Sequence, residues 1–192
     1  MEKRNVYFTG DFKTRAESDG QKIIEGYFAV FNQRTELWDD FFEEIVPGAF
    51  DESLKTNDIR CLFNHNSDVV LGRNGSNTLT LHADTYGLYG SVVINPNDTQ
   101  ATDIYARVER GDITGCSFGF NTYFDDEEYI RNPDGTTLCR VLKADVREIS
   151  ICPFPAYPQT VIQARKNDYE TTRTQKIKSW KESIKKRMEA MK

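Results

Sequence analysis

The feature that most narrows the fold is a succession of short runs rich in β-branched and aromatic residues, cut apart by turn signals. Residues 22–32 (KIIEGYFAVFN) predict a strand, and residues 41–46 are a further candidate. Residues 59–64 (IRCLFN) form a short apolar run ending at His65. Residues 78–82 and 88–95 both alternate, and Tyr86-Gly87 between them predicts a hairpin. Residues 116–124, 138–142 and 145–152 complete the set, with Asn132-Pro133-Asp134-Gly135 as a strong turn. Pro153 to Pro158 (PFPAYP) ends the sheet, because proline cannot continue a central ladder.

Helical signals are sparse. Pro47-Gly48-Ala49-Phe50 followed by acidic residues suits a short helix start. Asn97-Asp98-Thr99 can cap a helix running to about Arg110, with Ala101, Ile104, Tyr105 and Val108 on one face and Gly111 as its stop. Seven or more mostly antiparallel strands with about two helices predict an α+β fold, a closed or nearly closed β-barrel with helices packed on it.

Charge divides the chain. From Arg165 to Lys192, 10 basic and 4 acidic residues leave +6; the first 164 residues hold 15 basic and 26 acidic, leaving −11. The expected organisation is an acidic domain over residues 1–164 and a basic tail over 165–192. In the tail, Ile177, Trp180, Ile184, Met188 and Met191 recur at helical spacing among lysines and arginines, so a basic amphipathic helix is predicted after a polar linker at residues 166–174. It can pack on its own domain, touch nucleic acid, dock on an acidic partner, or lie on a membrane surface. The acidic body argues against specific nucleic-acid binding. No apolar run has the length of a membrane span, and no secretory signal is visible at the N-terminus. Cys61, Cys116, Cys139 and Cys152 are scattered singly, without metal-ligand or disulfide-framework spacing, which suits a reducing intracellular compartment.

Few residues offer chemistry. His65 stands where a strand meets a loop and can present its ring to a cleft, whereas His82 ends an alternating strand and reads as structural. Gly115-Cys116-Ser117-Phe118-Gly119 matches G-x-S-x-G, but a helix precedes and a strand follows, the reverse of a nucleophile elbow. Small neighbours nonetheless leave the Ser117 hydroxyl approachable, and the adjacent backbone N–H groups, or Arg147, are candidates for stabilising an oxyanion. A serine needs a base, and the base needs an orienting group; Glu148, Asp145 and His82 are the candidates. Alternation puts Glu148 and Ser150 on one strand face and Arg147, Ile149 and Ile151 on the other. Cys116 rivals Ser117, though on a strand the two point to opposite faces, and a buried inert thiol is its plain alternative. The acidic run at residues 125–128 reads as a solvated hairpin tip. No phosphate loop or dinucleotide fingerprint is present.

Taken in order, Glu25-Gly26-Tyr27-Phe28-Ala29-Val30-Phe31-Asn32, Pro47-Gly48-Ala49-Phe50, Phe63-Asn64-His65, Gly115-Cys116-Ser117-Phe118-Gly119-Phe120 and Glu148-Ile149-Ser150 with Pro155-Ala156-Tyr157-Pro158 resemble the prohead (capsid maturation) serine proteases of tailed phages. That family is similar in fold to the herpesvirus assembly protease. The resemblance implies an endopeptidase that acts inside the immature capsid in the host cytoplasm, removes the scaffolding segment of the major capsid protein and often cleaves itself. It implies Ser117 as nucleophile and His65 as general base and acid. The third member in the herpesvirus enzymes is a later histidine; none follows Ser117 here, so Glu148 is expected in that place, with Asp145 behind it. No cofactor, metal or membrane is implied, and a homo-oligomer stays open. A non-enzymatic capsid assembly or scaffold protein, and an esterase, are the competing expectations.

Overall fold

The computed structural model describes residues 2–9, 13–16 and 20–154, together with Lys178, Lys181, Glu182, Lys185 and Lys186. Chain contacts divide it into two units, Met1–Ala156 and Tyr157–Lys192. In the second unit those five residues are helical and exposed. The apolar stripe, the linker and residues 155–158 lie outside the described residues.

The first unit holds thirteen described strands in three sheets. Strands β1 (Glu2–Thr9), β10 (Gly115–Thr122), β13 (Asp145–Cys152), β6 (Arg60–Phe63) and β7 (Asn66–Arg73) form a five-stranded sheet in that spatial order. Strands β11 (Glu127–Arg131), β12 (Thr137–Val141), β5 (Phe41–Ile45) and β4 (Thr35–Trp38) form a second. Strands β2 (Lys13–Ala16), β3 (Lys22–Val30), β9 (Gly87–Val93) and β8 (Leu79–Ala83) form the third.

The fold is therefore α+β and mostly antiparallel, but the expected closed barrel is not what the described strands make. Each sheet keeps two edges. Two of the pairings, β13 with β6 and β12 with β5, are also parallel. A parallel neighbour arrives from far along the chain, so a row of hairpin signals cannot reveal it.

Local signals decide the elements. Helix α2 (Thr99–Arg110) starts at Asp98, whose side chain accepts from the N–H groups of Gln100 and Ala101. It stops at Gly111, which turns left-handed at φ 85° and donates back to Arg107 and Val108. The buried stripe is Ala101, Ile104, Tyr105 and Val108, the set the spacing predicts. The short helix α1 (Ser53–Thr56) follows a turn at residues 47–52. Phe50 in that turn is fully buried and meets Phe118 edge-on at 5.7 Å. Phe118 in turn stacks on Phe120 at 5.3 Å. Strand β10 is thus anchored in the core through the face opposite Ser117.

The acidic run is not a solvated hairpin tip. It enters β11, where Glu127 is buried and accepts a hydrogen bond from the Tyr129 hydroxyl at 2.5 Å. The tip of the β11–β12 hairpin is Asn132 to Thr136, closed by the Asn132 N–H on the Thr136 carbonyl at 2.9 Å.

Candidate active site

The central strand of the five-stranded sheet assembles the site. In β13, Ser150 stands directly opposite Ser117 of β10 on one side and beside Leu62 of β6 on the other. Cross-strand partners project to the same sheet face, so Ser117, Ser150 and Glu148 share a face while Cys116 and Phe118 take the opposite one. The pairing slips between Gly119 and Phe120, where β13 carries Arg147 as an extra residue. That bulge leaves Val146 fully buried and Arg147 exposed.

His65 reaches this face from a tight turn. Phe63 pairs with Asn66, so Asn64 and His65 form a two-residue hairpin loop between β6 and β7. Both have positive φ, 51° and 58°, the mark of a type I′ turn. Asparagine and histidine tolerate this left-handed backbone better than most residues. The turn is fastened to β13 at two points. The Asn64 N–H donates to the Ile151 carbonyl at 2.9 Å, and the His65 N–H donates to Ser150 Oγ at 3.2 Å.

The side chains then converge. His65 Nδ1 lies 2.6 Å from Glu148 Oε1. Ser150 Oγ donates to the second carboxylate oxygen, Oε2, also at 2.6 Å. A carboxylate receiving on both oxygens takes the Nδ1 proton as a donor, which makes Nε2 the basic nitrogen. The His65 side chain is 17% exposed and that of Glu148 8%, so the contact is shielded from bulk water and is worth more than a surface ion pair. Ser117 and Ser150 have no exposed surface, so the expectation of an approachable Ser117 hydroxyl is not met: small neighbours along β10 do not open a strand that has partners on both edges.

Other candidates stand apart. Asp145 accepts from the Asn57 side-chain amide and pairs with Arg147. That geometry ties it to the start of β13 rather than to the histidine. Arg147 is held by Asp145 at an exposed bulge. Strand β10 has neighbours on both edges, so its backbone donors run along the sheet toward β1 and β13. His82 lies on β8 in another sheet, 5.1 Å from the Tyr89 ring. Cys116 is fully buried against the Tyr27 carbonyl, and burial pushes its thiol far above the ordinary range. A thiol that resists ionisation is a poor nucleophile. Among the described residues, no group of three or more His, Cys, Asp or Glu is placed to hold a metal ion. No helix among them is long and apolar enough to cross a membrane.

Sequence reasoning placed Ser150 on the face of Glu148 but gave it no role. Its hydrogen bond to the carboxylate is local to β13, but its bond to the turn that bears His65 depends on the parallel β13–β6 pairing, for which the sequence carries no local signal.

The comparisons agree with one another. The family described as Caudovirus prohead serine protease matches residues 10–175. The prohead protease of Enterobacteria phage HK97 is 32% identical over 183 residues, covering 94% of this chain and 73% of that protein. Among solved structures, the capsid assembly protease of bacteriophage T4 matches with a TM-score of 0.51 and 8% identity, over 79% of this chain and 97% of the other. At that identity the last likeness speaks for the fold alone.

Proposed function

The chain belongs to the Caudovirus prohead serine protease family, and on that footing we propose that Ser117, His65 and Glu148 form the catalytic triad of a capsid-maturation endopeptidase. The observation that carries the assignment is the buried 2.6 Å contact between His65 Nδ1 and Glu148 Oε1, beside the strand that bears Ser117.

In the proposed reaction, His65 Nε2 takes the Ser117 hydroxyl proton as Oγ bonds to the scissile carbonyl carbon. Glu148 holds the ring in the required tautomer and offsets the positive charge that develops on it. The tetrahedral intermediate collapses as the carbon–nitrogen bond breaks, and His65 delivers its proton to the leaving amine. Water, deprotonated by the same nitrogen, then releases the acyl group and restores Ser117.

The substrate in this reading is the major capsid protein with its scaffolding segment, and the place of action is the immature capsid in the host cell. Self-cleavage, the herpesvirus-protease-like character of the fold, a protease domain ending near residue 164 and a basic C-terminal helix that docks on acidic scaffold helices belong to the same proposal. The charge contrast between body and tail supports the last of these.

Co-expression with the cognate major capsid protein tests the assignment, with intact mass as readout for wild type, Ser117→Ala and His65→Ala. Truncated capsid protein in the wild type alone is the expected result. Full-length product in all three, from shells that contain the protein, would favour a non-enzymatic scaffold role instead.

A further inference from the structure

We propose that Ser150 is a positioning residue of the proteolytic site, fixing both the carboxylate of Glu148 and the turn that carries His65. The inference rests on the triad assignment above. Ser150 Oγ makes two bonds of opposite sense. It donates to Glu148 Oε2 at 2.6 Å and accepts the backbone N–H of His65 at 3.2 Å. The first bond selects one orientation of the carboxylate, leaving Oε1 for His65 Nδ1. The second holds a residue whose backbone sits at φ 58°, a conformation that a side-chain anchor helps to keep. One hydroxyl therefore sets the distance between base and orienting acid from both ends.

Its position in the sheet explains why a serine suits this role. Ser150 is the direct partner of Ser117 across β10–β13 and of Leu62 across β13–β6. It is the centre of a three-strand row whose two flanking strands bear the nucleophile and lead to the base. A hydroxyl there reaches the carboxylate two residues back on its own face and the turn beyond β6 together. Its geometry does not suit a nucleophile. Its proton points to Glu148, and its approach to His65 is to Nδ1 at 3.5 Å, the nitrogen already engaged by the carboxylate. In metal sites, losing the outer-shell partner that orients a histidine costs about 10- to 100-fold in activity, and a loss of that order is expected here.

The test compares Ser150→Thr, which keeps the hydroxyl, with Ser150→Val, which has nearly the same shape and lacks it. The full chain is labelled with a fluorophosphonate probe, the rate is followed, and the modified residue is located by mass spectrometry. The wild type is expected to label at Ser117. Ser150→Thr should retain most of the rate, and Ser150→Val should lose about 10- to 100-fold, with both folded by circular dichroism. If the valine variant does not fold, Ser150→Ala, which adds no methyl group, should show the same loss. Equal rates for the threonine and hydroxyl-free variants would overturn the positioning role, as would probe attached to Ser150 itself. Labelling that survives Ser117→Ala would instead remove the triad assignment beneath it.

Discussion

His65 Nδ1 lies 2.6 Å from Glu148 Oε1 although 83 residues of chain separate them. Two features close that gap: the parallel register of β6 on β13, and a turn that projects the ring back over β13. Neither is a local property of the histidine. A substitution that leaves the strand intact but changes the carboxylate should therefore isolate its chemical role.

Glu148→Gln is the sharpest such change. The amide cannot accept on both of its heteroatoms, and its N–H₂ set against the ring favours the wrong tautomer. A fall in kcat of about 10³- to 10⁴-fold is expected, by analogy with the carboxylate-to-amide exchange of the triad aspartate in serine proteases of another fold. Asp145→Asn, which alters the pairing with Asn57 and Arg147, should leave the rate near that of the wild type. Peptide-cleavage kinetics on the two variants decide between them, and the reverse ranking would make Asp145 the orienting acid.

The left-handed turn should be sensitive to residue type in a specific way. Asn64 sits at φ 51°, where β-branched side chains clash with the backbone. Asn64→Val is expected to cost about 1–2 kcal/mol, and Asn64→Gly little or nothing. Denaturant unfolding measures both. Equal stability of the valine and glycine variants would contradict the turn geometry.

The cysteines should be silent in the native protein. All four are reduced and buried. Burial raises the Cys61 and Cys116 thiols well above the ordinary range and pushes Cys152 up to about 12. Iodoacetamide near neutral pH is expected to modify none of them until denaturant is added, and then all four. Native modification of Cys116 would revive it as a nucleophile.

Acid should weaken the fold through exposed carboxylates. The Asp58 carboxyl is held below its ordinary value of 3.8 chiefly by hydrogen bonding to Arg73, and that of Asp84 chiefly by the Tyr27 hydroxyl. The Asp134 carboxyl is lowered by the Thr136 backbone N–H and hydroxyl. A depressed folded-state value gives stability that is complete above the unfolded value and lost as pH falls through the folded one. The thermal midpoint should thus hold steady down to about pH 4 and then drop, with added salt blunting the Arg73 contribution. A midpoint that rises on acidification in that range would contradict this account.

The residues proposed for the site were readable from the sequence, while the geometry that brings His65, Glu148 and Ser150 together was not. The alternation Val146-Arg147-Glu148-Ile149-Ser150 correctly put Glu148 and Ser150 on one face. It said nothing of the bulge that turns Arg147 out toward Asp145. Helix α2 was readable because its cap, stripe and stop are all local. The five missed strands, β1, β2, β4, β7 and β11, all lie at sheet edges. Of these, β2 (KTRA) and β7 (NSDVVLGR) are largely exposed, so they have no need of an apolar alternation. β7 mattered most, because recognising it would have placed His65 on a two-residue turn rather than in a loop. The barrel expectation failed because the described strands divide into three sheets, and two of the pairings that set this division join segments more than 80 residues apart.

On the triad assignment proposed above, the complete burial of Ser117 bears on when the nucleophile can act. A hydroxyl with no exposed surface meets a peptide carbonyl only in molecules that have transiently opened. The acylation rate then carries the open fraction as a multiplier, and a population of about one in a hundred slows the step about a hundredfold. Anything that binds the open form preferentially raises that fraction in proportion. Under the proposed function, a dense array of substrate chains would be such a ligand, and local concentration would then set the acylation rate.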